Sequence, residues 1–163
     1  MRNTMIAKTR PTLRHIAGAL AIVLAFGLMA PGGAAAEGNK PHRVAIHVDQ
    51  NDPAVMNLAL NNAKNIIEHY REKHEDVEVE IVTYGPGLHM LRDDTSPVKD
   101  RIKQMVDASL PSKIVFAACN NTKQGMEKRE GKAITIIPQA TIVPSGVVRL
   151  MELQEQGWSY LRP

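Results

Sequence analysis

The chain has 163 residues, the length of one ordinary domain plus a short appendage, with 20 basic residues against 17 acidic ones. Four of the basic residues, Arg2, Lys8, Arg10 and Arg14, precede the first acidic one, so Glu37–Pro163 holds 16 basic against 17 acidic residues. That balance leaves no basic stripe for nucleic acid, 4% aromatics leave few platforms for stacking single strands, and one cysteine excludes an intramolecular disulfide framework.

The N-terminus predicts export. Its positive stretch is followed by the apolar run IAGALAIVLAFGLMA (Ile16–Ala30), a Pro-Gly-Gly break and the small-residue site Ala34-x-Ala36. The run falls short of the ~20 apolar residues a spanning helix needs. Residues 1–36 are therefore expected to be a signal peptide cleaved after Ala36, rather than a retained anchor. Residues 37–163 are then a single domain, periplasmic or secreted, with no membrane association after cleavage.

Glu37–His42 is polar and reads as a loose leader to that domain. Arg43–Asp49 (RVAIHVD) is short, apolar and rich in β-branched residues, which predicts a strand. Asp52 is placed to cap a helix, with Pro53 at its first position. Met56, Ala59, Leu60, Ala63, Ile67 and Tyr70 form its apolar stripe, ending near Lys73. Val77–Tyr84 predicts a second strand, stopped by Gly85-Pro86-Gly87. Ser96-Pro97 repeats the cap-then-proline signal before a helical stripe of Val98, Ile102, Met105 and Val106. Lys113–Cys119 (KIVFAAC) is apolar on both faces, as in a strand buried within a parallel sheet. A short, weak helix follows to about Gly131, then an apolar run at 134–137 and a fourth strand at Ala140–Val143. Ser145 is expected to cap a helix that closes at Gly157. The tail WSYLRP reads as an edge strand. Strands and helices alternate throughout, which predicts an α/β fold with a mostly parallel sheet of about five strands and helices on both faces.

In such a sheet, ligands bind beyond the carboxyl ends of the strands. Four polar or small segments fall there: DQNDP, GPG, CNNT and PSG. They place Cys119 at the mouth of a crevice, just before a helix N-terminus whose N–H groups favour a thiolate. Two readings of the residue stand side by side: a reactive thiol, and a small apolar packing residue. Asn120, Asn121 and Thr122 would supply helix-end N–H groups, and Gly85, Pro86 and Gly87 the opposite lip. Asn57 belongs to an Asn57, Asn61, Asn65 row that reads as a solvent face, although its early position could aim it at Cys119. His47 reads as a core histidine neighbouring the crevice. Ser145 and Gly146 lie at the fourth segment, where Ser145 lacks a nucleophile elbow and reads as a cap. No histidine pair shows metal-ligand spacing and GPG lacks the spacing of a phosphate loop. No metal, nucleotide or other cofactor is expected, with a metal or haem-related site on Cys119 and a nearby histidine as a minor alternative.

The strand-ending cysteine, the NLALNNAKN helix, the VTYGPG turn and the terminal VPSGVVRLMELQEQGWSYLRP together resemble the DsrE-like family over about Arg43 to Pro163. The resemblance implies a three-layer αβα, flavodoxin-like fold and homo-oligomers, trimers or hexamers. It also implies a role in sulfur relay, with a persulfide carried on the cysteine after the third strand. Cys119 matches that position. The resulting expectation is an exported sulfur carrier, sulfurtransferase-like if active, or a thiol-redox protein, with a sulfur donor or acceptor protein as partner. The alternative is a non-catalytic ligand-binding or assembly module in which Cys119 only packs.

Overall fold

A computed structural model describes residues 42–163. The expected signal peptide, its cleavage site and positions 37–41 lie outside the described residues. The elements run β1 (His42–Val48), α1 (Pro53–Glu72), β2 (Val77–Thr83), a 3₁₀ segment (Gly85–Leu91), α2 (Lys99–Ala108), β3 (Lys113–Cys119), α3 (Asn120–Glu130), β4 (Ala140–Val143), α4 (Gly146–Glu155) and β5 (Ser159–Leu161). The five strands are parallel, in the order β4-β3-β2-β1-β5. This is a three-layer α/β arrangement of the flavodoxin-like kind.

Topology follows from handedness. Strands β1 to β4 step in one direction across the sheet, so right-handed crossovers set α1, α2 and α3 on one face. The chain then returns to add β5 beside β1, which carries α4 to the other face. The first face holds the main core, where Met56, Leu60, Ile102, Phe116 and Met126 are buried together. Each such side chain, fully buried, contributes ~1.5–3 kcal/mol. On the second face Leu150 and Leu153 of α4 pack on Ala45, Val82 and Ala117, with Tyr84, Val143 and Trp158 at the margin. The connections leaving β3 and β4 therefore go to opposite faces. Adjacent strands with that property open a crevice at their carboxyl ends.

Local chemistry sets the element ends. The Asp52 carboxylate accepts the Ala54 N–H at 2.8 Å, with Pro53 at the first helical position. Gly131, at φ 64°, ends α3 in the left-handed conformation. Several expectations change. His42 opens β1 instead of lying in a leader, its ring stacked on Tyr70 at 3.9 Å. The GPG turn opens a 3₁₀ segment of seven residues. Helix α2 begins at Lys99 with Val98 at its N-cap and no side-chain capping bond, so Ser96 does not cap it: the Ser96 hydroxyl accepts the Val98 N–H at 3.3 Å and donates to the Met90 carbonyl, bracing the turn before the helix.

Two buried charges brace the domain. Arg92 is 1% exposed and its guanidinium forks onto Glu130 at 2.6 and 2.9 Å and onto Asp94 at 2.7 and 2.9 Å. Glu80, 3% exposed, accepts two 2.7 Å hydrogen bonds from Arg149, which ties α4 to the sheet. No helix among the described residues is long and apolar enough to cross a membrane.

Candidate functional site

Cys119 ends β3 and is the N-cap residue of α3, with an extended backbone at φ −68° and ψ 116°. Its Sγ accepts the Thr122 N–H at 3.5 Å. Burial is the largest single influence and pushes the thiol up. The hydrogen bonds of the Thr122 hydroxyl, then of the Gly146, Thr122 and Asn121 amides, together outweigh it and leave the thiol below its ordinary pKa.

The sequence placed this sulfur at an open mouth, within reach of water. The structure places it under cover, at 4% exposure. The reason lies in α4, which closes from the opposite face. A Cβ added to Gly146 would sit 3.0 Å from Cβ and Cδ1 of Tyr84 and 3.2 Å from Cβ of Cys119. The missing side chain at Gly146 lets the start of α4 press onto the cysteine. The surroundings are amide groups as well as hydrocarbon, so the sulfur sits in a buried cradle of donors.

The four strand-end segments do come together. The Gly85 N–H donates to the Thr122 hydroxyl at 2.9 Å, with Gly85 at φ 51°, and the Asn121 N–H reaches the Pro144 carbonyl at 3.3 Å. Gly87 lies flat on the end of β1, where any Cβ would strike the Val48 carbonyl and come within 2.8 Å of Asp49 Cα. Pro86 and Asn121 are exposed, and Asn120 is half-buried in the first turn of α3. Two expectations fail. Asn57 faces away from Cys119: its Nδ2 donates to the Pro53 carbonyl at 2.9 Å, and its Oδ1 accepts from Arg101 at 2.6 Å, clamping α1 to α2. Ser145 occupies the N-cap position of α4, but its side chain makes no capping hydrogen bond. Gly146 instead brings the start of α4 against Tyr84 and Cys119.

A second group of side chains completes the crevice. Strand register puts Ala45, His47, Tyr84, Cys119 and Tyr160 on the α4 face of the sheet. His47 is 4% exposed, stacks on Tyr84 at 4.5 Å between ring centroids, and pairs through Nδ1 with the Tyr160 hydroxyl at 2.8 Å. Its Nε2 is buried without a hydrogen-bond partner, 3.9 Å from Asp49 Oδ2. Asp49 accepts from Arg162 at 2.8 and 3.1 Å. Burial lowers the His47 pKa, opposed by Asp49 and assisted by Arg162. Burial also raises that of Tyr84, with Asp49, Tyr160 and Cys119 acting in the same direction. A neutral imidazole thus lies against a neutral phenol beside the cysteine. His47 was expected here; Asp49, Tyr84, Tyr160 and Arg162 were not singled out. Period-two alternation along β1 and β2 was the signal that would have found Asp49 and Tyr84.

On the other side of Thr122 a cleft of about 450 Å³ runs between α3 and the 3₁₀ segment. Asn121, Thr122, Gly125, Met126 and Arg129 line one wall, and Gly85, Pro86 and His89 the other, with Asn51 alongside. Another depression, of about 320 Å³ between α1 and α2, lies among Lys64, Arg71 and Arg101 and includes none of the crevice residues. Among the described residues no group of three or more His, Cys, Asp and Glu side chains is placed to hold a metal ion.

No family model matches the chain, and no curated protein does. Among solved structures, the chain is similar to the protein of unknown function MTH1491 from Methanobacterium thermoautotrophicum. The two are 28% identical with a TM-score of 0.63, over 75% of this chain and 99% of that one.

Proposed function

We propose that the protein is an exported, DsrE-like sulfur carrier acting through Cys119. The observation that carries this reading is the position of Cys119 as N-cap of α3, its Sγ accepting the Thr122 N–H at 3.5 Å, at the crevice where the connections leaving β3 and β4 go to opposite faces. Donors so arranged stabilise a thiolate, the form that attacks sulfane sulfur. In the step proposed, the Cys119 thiolate attacks the terminal sulfur of a persulfide R–S–SH. The new S–S bond forms as the old one breaks, R–S⁻ leaves, and the proton stays on the transferred sulfur. No external oxidant or reductant is consumed. Tyr84, Gly146 and Thr122 cover the sulfur, so a donor gains access by displacing that cover.

The test is incubation of the protein with a sulfane-sulfur donor, followed by intact mass. Gain of one sulfur on the wild type and none on Cys119→Ser supports the reading. An unchanged wild-type mass, or equal gain in the variant, defeats it.

A second reading has its own support. The 4% exposure of Cys119 suits a packing residue, and Ile142, Val147, Val148 and Met151 leave apolar surface on β4 and α4. In that reading the domain is an assembly or binding module whose copies associate, and the thiol reacts only after unfolding.

A further inference from the structure

The cleft along α3 carries chemistry of its own. Gly125 sits inside an exposed helix, where glycine is destabilising relative to alanine, and it has no packing reason to be there: a Cβ added to it would meet nothing within 4 Å. Gly125 lies on the cleft wall, so the absent side chain keeps the middle of the cleft clear. At one end stands Arg129, the arginine with no hydrogen-bond, ion-pair or aromatic partner among the described residues. Neighbouring Glu130 does not neutralise it, being held by Arg92 at 2.6 and 2.9 Å. At the other end stands Thr122, whose amide N–H reaches the Cys119 sulfur at 3.5 Å and whose hydroxyl accepts the Gly85 N–H at 2.9 Å. Seven residues of helix at a rise of about 1.5 Å each separate the two ends by roughly 10 Å.

We propose that this cleft binds a short carboxylate-bearing peptide thiol of two or three residues. Its carboxylate pairs with Arg129, its backbone lies over Gly125, and its sulfur rests at the Thr122 end, one residue's thickness from Cys119. A guanidinium without a partner suits a carboxylate, and two helical turns between the ends favour a ligand longer than a single amino acid. That the ligand carries a thiol, and that its persulfide donates sulfur, rests on the function proposed above; the pairing of a carboxylate with Arg129 does not.

The test is calorimetric titration of the purified protein with reduced glutathione. Saturable binding is expected, weakened about tenfold or more by Arg129→Ala, the loss of one charge-assisted contact. Gly125→Leu, which fills the cleft while favouring the helix, is expected to abolish binding with a melting temperature no lower than wild type. Cysteine, the shorter ligand, is expected to bind at least tenfold more weakly. Absence of saturable glutathione binding, wild-type affinity in either variant, or equal affinity for cysteine overturns the proposal. Binding without any transfer to Cys119 leaves the cleft standing and defeats only the sulfur reading; transfer without binding does the reverse.

Discussion

Replacing Gly146 by alanine tests the cover over Cys119. The new methyl carbon would lie 3.0 Å from two Tyr84 carbons and 3.2 Å from Cys119 Cβ, against an optimum of about 3.5–4.0 Å between carbons. Two of the three atoms are β-carbons, which move only with their backbones, so rotamer changes relieve little of the overlap. Overpacking of this kind costs ~1–3 kcal/mol. The helix-propensity gain of alanine over glycine, at most ~1 kcal/mol, is smaller at a first helical position. The net expectation is a loss of about 1–2 kcal/mol, a fall in Tm of about 5 °C for a domain of this size. The same displacement moves the start of α4 away from the cysteine, whose thiol Gly146 helps to hold below its ordinary pKa, so the pH midpoint of thiol alkylation rises. Thermal melts and an alkylation series against pH measure both. A variant as stable as wild type with an unchanged alkylation midpoint would refute the tight cover.

Arg149→Met leaves the buried Glu80 carboxylate without its two 2.7 Å donors, and urea unfolding should show a loss of ~3–5 kcal/mol. The double variant Glu80→Leu/Arg149→Met should lie closer to wild type than Arg149→Met does. Hydrogen bonds from Arg92 hold the Asp94 and Glu130 carboxyls below their ordinary pKa values. Their stabilisation is therefore complete above about pH 4 and lost as pH falls below it. Urea midpoints against pH should show a shallower acid limb in Arg92→Met. Burial of His47 acts in the same direction at higher pH. Its folded pKa is lowered, so the unfolded chain takes a proton first and stability declines as pH drops below about 6.5. His47→Gln should remove that decline.

Much of the scaffold was written in local patterns. The apolar run to Cys119 and the Asp52-Pro53 start of α1 reappear at the expected positions, because each depends on neighbours in sequence. The crevice segments were legible too, since they are the carboxyl ends of parallel strands. What escaped were consequences of α4 lying alone on its face. Nothing near Cys119 in sequence announces that Gly146, 27 positions later, will close over it. Asn57 was misread because its partner, Arg101, sits on a helix whose placement the Asn row does not encode. Ser145 fits the composition of a cap, but its side chain makes no capping bond. The terminal edge strand was legible, but not that it pairs with β1 and so brings Tyr160 and Arg162 to His47 and Asp49.

Whether Cys119 is a usable thiolate within its buried surroundings is decided by alkylation of the native protein across pH. Reaction is expected without denaturant, slowed by the cover, with a midpoint below that of an ordinary thiol. Reaction only after unfolding, or a native midpoint at or above the ordinary value, would contradict it.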